Sequence, residues 1–113
     1  MLVSVVIPCY QNEAQLENTV AGIISAIKPV TVDFEIILVD DASTDKTWIK
    51  IKSLSKIHIE VKGIRLRENV GAYNAITYGF DESTGDLVLV MAADGDDPPN
   101  LIPEFFKNLD ENT

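Results

Sequence analysis

A chain of 113 residues with 46% hydrophobic side chains is long enough to bury one core and corresponds to one small domain or part of a larger one. Its formal charge of -9, from 18 acidic and 9 basic side chains, argues against nonspecific nucleic-acid binding and leaves no basic patch for an anionic membrane. A single cysteine, Cys9, excludes an internal disulfide framework. No apolar run approaches the ~20 residues of a membrane span, and no basic segment precedes the first apolar run, so the expected address is the cytoplasm.

Residues 2–7 (Leu-Val-Ser-Val-Val-Ile) predict a strand that ends at Pro8. Asn12 is then placed to cap a helix, with Gln15 in the capping-box position, and Leu16, Val20, Ile23, Ile24 and Ile27 recur at helical spacing until Pro29 stops the helix. Residues 34–39 are a second apolar strand running into Asp40 and Asp41. Ser43 or Thr44 can cap a second helix, with Asp45 favourable in its first turn and Trp48, Ile51 and Leu54 as its inner stripe. Residues 58–66 alternate and predict a third, less buried strand. Residues 70–80 predict a third helix with Ala72, Ile76 and Phe80 inward. Residues 87–91 form a continuous apolar strand that leads into Asp94, Asp96 and Asp97, with Gly95 allowing a sharp turn. Asn100 can cap a last helix carrying Leu101, Ile102, Phe105, Phe106 and Leu109.

Strict β-α alternation with short connections predicts an α/β fold: a mostly parallel, Rossmann-like sheet with helices on both faces. In such sheets ligands bind beyond the carboxyl ends of the strands, near the switch in strand order. Residues 8–13, 40–45 and 92–97 therefore share one rim, and residues 65–71, which follow the third strand, are a candidate fourth segment. Clustered carboxylates repel unless a cation shares the site, and oxygen-only donors suit Mg²⁺ or Mn²⁺ held together with a substrate phosphate. Asp40 and Asp41 can accept from a base or sugar, Asp94 and Asp96 can hold the metal, Arg67 and Arg65 can meet phosphate, and Glu13 can reach in from the first loop. Each has a plainer reading as well: Asp45 as a helix-start charge, Asp97 as a turn cap, Arg65 as an outward edge residue, and Cys9 and Tyr10 as packing residues. His58 has no His or Cys cluster around it, which argues against a zinc site. No glycine motif of the P-loop or dinucleotide kind is present.

Four segments, Val-Ser-Val-Val-Ile-Pro-Cys-Tyr-Gln-Asn-Glu, Glu-Ile-Ile-Leu-Val-Asp-Asp-Ala-Ser-Thr-Asp-Lys-Thr, Arg-Glu-Asn-Val-Gly and Gly-Asp-Leu-Val-Leu-Val-Met-Ala-Ala-Asp-Gly-Asp-Asp-Pro-Pro, resemble in order and spacing the family 2 glycosyltransferases. The subgroup is that of dolichol-phosphate-mannose synthase and bacterial polysaccharide transferases. The resemblance implies the amino-terminal, donor-binding half of a GT-A fold, a nucleotide-diphospho-sugar donor, a divalent metal and inversion at the anomeric centre. It implies that Pro8, Tyr10 and Glu13 border the nucleotide, that Asp41 with Asp40 recognises the base, that Arg67 lies near the phosphates, and that Asp94 is the chief metal ligand. The chain departs from the family pattern at Ala92, where the family often has the first Asp of its Asp-x-Asp motif, and at Asp96, where it usually has Gln. A working pair Asp94-Gly-Asp96 is the resulting expectation. The family's general base lies beyond the metal motif, and no candidate is identified here. A lipid-linked glycan acceptor, polysaccharide biosynthesis, peripheral membrane contact in a full-length protein and self-association through an apolar face left by a missing half are family-level expectations. Two other classes stay open: a catalytically silent nucleotide-binding or assembly module, and a phosphoacceptor receiver domain. The second is disfavoured because the acidic pair follows the second strand rather than the first.

Overall fold

The computed structural model describes residues 1–30, 33–97 and 101–111, with the backbone alone for 108–111. Strands β1 (Leu2–Cys9), β2 (Asp33–Asp40), β3 (Val61–Arg65) and β4 (Leu87–Val90) alternate with helices α1 (Leu16–Ile27), α2 (Thr47–Ile57), α3 (Ala72–Glu82) and α4 (Leu101–Glu111). The strands form one sheet in the order β3-β2-β1-β4, and every pairing is parallel. The predicted α/β architecture is the one adopted.

The two inner strands are continuous apolar runs because both of their faces are covered: Val5, Val6, Ile7, Ile36, Ile37, Leu38 and Val39 are fully buried. Edge strand β3 buries only Val61. Pro8 lies within β1 without breaking the ladder. The Val6 carbonyl accepts the Met91 amide on the β4 side. Pro8, two residues on, faces the same way, and the β1–β4 pairing has already ended at Val6 and Val90, so the missing N–H falls where the ladder stops.

Strand order decides which helix covers which face. The chain runs β1 to β2 to β3 in one direction, then crosses back to β4 on the other side of β1. Right-handed crossovers put the helices of the two directions on opposite faces. Accordingly α1 and α2 share one face, which α4 joins, and they bury Leu16, Ile23, Ile51, Ile102 and Phe106 against Val3, Val5, Ile7, Ile36 and Leu38. On the other face α3 sits over Val6, Ile37 and Val39. Its inner residues are Ala75 and Gly79 with Ile76 partly covered, whereas Ala72 and Phe80, expected inward, are exposed. The small residues let the helix backbone approach the sheet: a Cβ on Gly79 would collide with Val6 Cγ1 and stand 3.3 Å from Val39 Cγ2.

Local starts also differ from expectation. The Asn12–Gln15 capping box does not form, because Asn12 Oδ1 accepts the Tyr10 amide at 2.6 Å, and α1 begins at Leu16. Ser43 and Thr44 do not cap α2; they face the β1–α1 loop. Asp45 does serve the helix start, accepting the Thr47 amide at 3.0 Å and the Thr47 hydroxyl. Helix α3 begins at Ala72 rather than residue 70. The expected Asn100 cap and the Pro98-Pro99 turn lie outside the described residues, as does the Leu109 side chain.

At the amino edge of the sheet Glu35, 5% exposed, joins three strands. It accepts from Ser4 Oγ at 2.5 Å, Lys62 Nζ at 2.7 Å and the Thr84 amide at 2.8 Å. Ser4 Oγ in turn accepts the Gly85 amide at 2.9 Å, which fixes the entry to β4. Burial pushes the Glu35 carboxyl up, but the bonds from Lys62, Ser4 and Thr84 outweigh it and hold it down at about 2. A depressed folded-state value stabilises the fold above the ordinary carboxyl range, and that contribution disappears as pH falls toward about 2.

Glu35→Gln is therefore expected to cost on the order of 2–3 kcal/mol near neutral pH. The gap from wild type should narrow steadily under acid in urea denaturation, and a pH-independent gap would contradict the assignment. Gly79→Val should cost about 2–3 kcal/mol through overpacking against Val6, and an unchanged urea midpoint would show that α3 can lift off the sheet freely.

Candidate functional site

Because β1, β2, β3 and β4 are parallel, their carboxyl ends open on one edge, and the predicted rim segments all follow those ends. Residues 8–13 leave β1, 40–45 leave β2, 65–71 leave β3 and 92–97 leave β4.

The central feature is a cleft of about 320 Å³ lined by Pro8, Cys9, Tyr10, Asp41, Asn69, Gly71 and Ala72. That volume is within the range of small-molecule sites. Tyr10 is half exposed at the mouth. Cys9 forms the floor with no exposed surface; burial and the neighbouring Asp40 carboxylate push its thiol far above the ordinary range, so it acts as a packing residue. Asn69 and Gly71 belong to the fourth segment, whose part in the rim the sequence left open. The Asn-Val-Gly turn before α3 was the signal for them.

The two adjacent aspartates do different work. Asp41 is 3% exposed, and its two carboxylate oxygens accept the Val70 amide at 2.8 Å and the Gly71 amide at 3.0 Å. It thereby fixes the start of α3 as one wall of the cleft, where Gly71 has φ 89°. Asp40 has no exposed surface at all. Its Oδ1 accepts the Ser43 amide at 3.1 Å, and its Oδ2 has no hydrogen bond among the described residues, standing 3.9 Å from Arg65 Nε. Asp40, expected to contact the ligand, thus has no exposed surface, and its described hydrogen bond goes to the loop that follows β2. Arg65 is held over the Trp48 ring at 5.7 Å.

The other predicted residues flank the cleft rather than line it. Arg67, exposed, shares a neighbouring groove with Ala42, Ser43, Arg65 and Leu66. The Glu13 amide bonds to Asp45 Oδ2 at 3.3 Å. Burial raises the Asp45 carboxyl, but donation from Thr47 and the Glu13 amide more than offsets this and lowers it below the usual range. Asp94, Gly95 and Asp97 border a depression against Gln15, Asn18 and Thr19 of the α1 side. Asp94 Oδ1 accepts the Asp96 amide at 3.0 Å around Gly95, whose φ is 81°. Asp97 Oδ2 accepts the Ala92 amide at 2.8 Å and so ties its own loop. The Thr19 hydroxyl donates to the Ala93 carbonyl at 2.8 Å and docks this loop on α1.

Asp94 and Asp96 are exposed, and Asp94 keeps one carboxylate oxygen free of hydrogen bonds among the described residues. No group of three or more Asp, Glu, His or Cys side chains suited to a metal occurs among the described residues. Two hard carboxylates in the open fit an ion of the Mg²⁺ or Mn²⁺ kind, which takes one or two protein ligands and completes its shell with water and phosphate oxygens. No helix among the described residues is long and apolar enough to cross a membrane.

Residues 4–113 match the model of the glycosyl transferase family 2. The dolichol-phosphate mannosyltransferase of Pyrococcus furiosus is 39% identical over 109 residues, 96% of this chain and 30% of that protein. The undecaprenyl-phosphate 4-deoxy-4-formamido-L-arabinose transferase of Photorhabdus laumondii is 37% identical over 110 residues, 96% of this chain and 34% of its own length. The chain therefore spans about a third of the curated relatives it matches. Among solved structures, the mannosyltransferase PcManGT of Pyrobaculum calidifontis in complex with GDP-Man and Mn²⁺ superposes with a TM-score of 0.74 at 26% identity, over 81% of this chain and 27% of that one. The fold is also that of S. aureus TarS in complex with UDP-GlcNAc, with a TM-score of 0.82 at 24% identity over 98% of this chain and 32% of that one. With the family match running through all four rim segments and the parallel sheet beneath them, the chain belongs to glycosyl transferase family 2.

Proposed function

We propose that this chain is the donor-binding part of an inverting, metal-dependent glycosyltransferase that uses a nucleotide-diphospho-sugar. The observation that carries the reading is the arrangement on the carboxyl edge: the Pro8, Tyr10 and Asp41 cleft lies beyond β1 and β2, and the Asp94–Asp96 turn lies beyond β4, across the switch in strand order. The bound GDP-Man and Mn²⁺ of the Pyrobaculum relative support the same ligand class here.

In this reading Tyr10 and Pro8 flank the base, and Asp41 shapes the opposite wall while keeping lone pairs toward the cleft. Glu13 reaches toward the ligand from the turn before α1. Asp40, buried under Ser43, sets the loop rather than touching the ligand. Arg67 approaches the phosphates from its adjoining groove. Asp94 and Asp96 would hold the Mg²⁺ or Mn²⁺ ion, which when bound supplies positive charge to the diphosphate leaving group. Ala92 offers no oxygen from its side chain, and the carboxylate of Asp96 replaces the missing charge one turn on. The general base that takes the acceptor proton is assigned to no residue of this chain. The names of the Photorhabdus and Pyrococcus relatives support a polyprenyl-phosphate acceptor and hence work at a membrane surface.

Titrating the 113-residue chain with UDP, GDP and their sugars by calorimetry, with and without Mn²⁺, tests the reading. Binding of one nucleotide that strengthens with Mn²⁺ is expected; no binding under either condition refutes a donor site. Asp94→Ala should weaken metal-supported binding on the order of tenfold to a hundredfold, the worth of one charge-assisted contact. Asp96→Ala should also remove part of the Mn²⁺ effect, and a variant that retains all of it would exclude Asp96 from the metal pair.

A further inference from the structure

We propose that Gln11 is a positioning residue for the cleft: its side-chain amide clamps the β1–α1 loop to the β2–α2 loop and so fixes Tyr10 at the mouth. The proposal rests on the reading of that cleft as a nucleotide site. Gln11 Oε1 accepts the Thr44 amide at 2.7 Å and the Asp45 amide at 3.2 Å, and Gln11 Nε2 donates to Thr44 Oγ1 at 3.0 Å. The Gln11 amide donates to Ser43 Oγ at 3.0 Å, and the Ser43 amide donates to buried Asp40 at 3.1 Å. One side chain thus satisfies two amides of the facing loop, and its own backbone is tied to the same loop.

The backbone shows what the clamp works against. Gln11 has φ 55° and Ala42, across from it, has φ 59°. Neither residue type favours the left-handed region, which glycine and asparagine populate. Such conformations persist when surrounding contacts over-determine them, and they collect at ligand sites. Tyr10 immediately precedes Gln11, so the turn at Gln11 sets where its ring stands. The amides of Asn12 and Glu13 have separate anchors on Thr47 Oγ1 and Asp45 Oδ2, at 2.9 Å and 3.3 Å. The loop base is therefore held without the Gln11 side chain, and removing that side chain leaves the Tyr10–Gln11 backbone with only the Tyr10 amide bond to Asn12 and the Gln11 amide bond to Ser43, loosening the turn rather than the fold.

A ligand that needs one loop conformation binds more weakly in proportion to the loss of that conformation. If freeing the loop leaves about a tenth of molecules competent, apparent affinity falls about tenfold. The test uses Gln11→Gly, which accepts the positive φ without strain, and Thr44→Val, which removes the hydroxyl partner only. Affinity for UDP and GDP in Mn²⁺ and the urea midpoint are measured for both variants and wild type. The expected result is a roughly tenfold loss of affinity in Gln11→Gly, a smaller loss in Thr44→Val, and near-constant urea midpoints. Unchanged affinity in Gln11→Gly overturns the clamp while leaving the donor site standing. Parallel loss of affinity and stability overturns it too, since Gln11 would then be holding the fold. A wild-type chain that binds neither nucleotide removes the donor reading and the clamp together.

Discussion

Strand β1 is hydrogen-bonded on both sides, to β2 along its whole length and to β4 over residues 3–6, and both partners run parallel to it. Parallel pairing forces every connection to travel back across the sheet, so all the strands end on the same side. Loops that are far apart in the chain, around residues 11, 41, 70 and 94, consequently open on one edge. The reversal of direction at β1 separates the connections onto opposite faces and opens the space between them. The sheet stays rigid because β1 and β2 bury apolar residues on both faces, and it can therefore hold loops whose own conformations are unfavourable.

The two edges of the sheet use their polar groups differently. At the amino edge Glu35 is saturated by Ser4, Lys62 and Thr84, with every bond serving the connection among strands. At the carboxyl edge the polar groups hold loops instead. Asp41 binds the start of α3, Asp45 binds the start of α2 and the β1–α1 loop, and Gln11 spans between loops. Charge left over is concentrated here as well: Asp40 Oδ2 is buried beside Arg65 without a hydrogen bond among the described residues, and Asp94 and Asp96 stand in solvent. A polar edge whose backbone is fixed and whose carboxylates are not all engaged is suited to a ligand that brings phosphate and a cation.

The chain belongs to glycosyl transferase family 2 and spans about a third of the length of its curated relatives. Its own departures from the family pattern fall in the acidic turn after β4. Ala92 leaves its amide, rather than a carboxylate, to organise the loop through Asp97, and Asp96, exposed, donates its amide to Asp94. The same loop is docked on α1 through Thr19, so the position of the acidic turn depends on helix packing as much as on β4.

The sequence by itself determined the β-α alternation, the parallel sheet, the less buried third strand and the gathering of the acidic segments on one rim. These follow from periodicity and from the length of the connections, which are local properties. Periodicity did not decide which side of α3 faces the sheet. Phe80 is larger and more apolar than Gly79, yet the close approach of helix to Val6 leaves space only for glycine. Nor could local rules separate Asp40 from Asp41: adjacent carboxylates in a strand end point to opposite sides, and only strand order and the α3 loop decide that one is sealed under Ser43 while the other borders the cleft. The caps expected at Asn12, Ser43 and Thr44 were lost for the same reason. Short polar side chains bond to whichever backbone group is nearest, and here the nearest groups belong to a neighbouring loop rather than to their own helix.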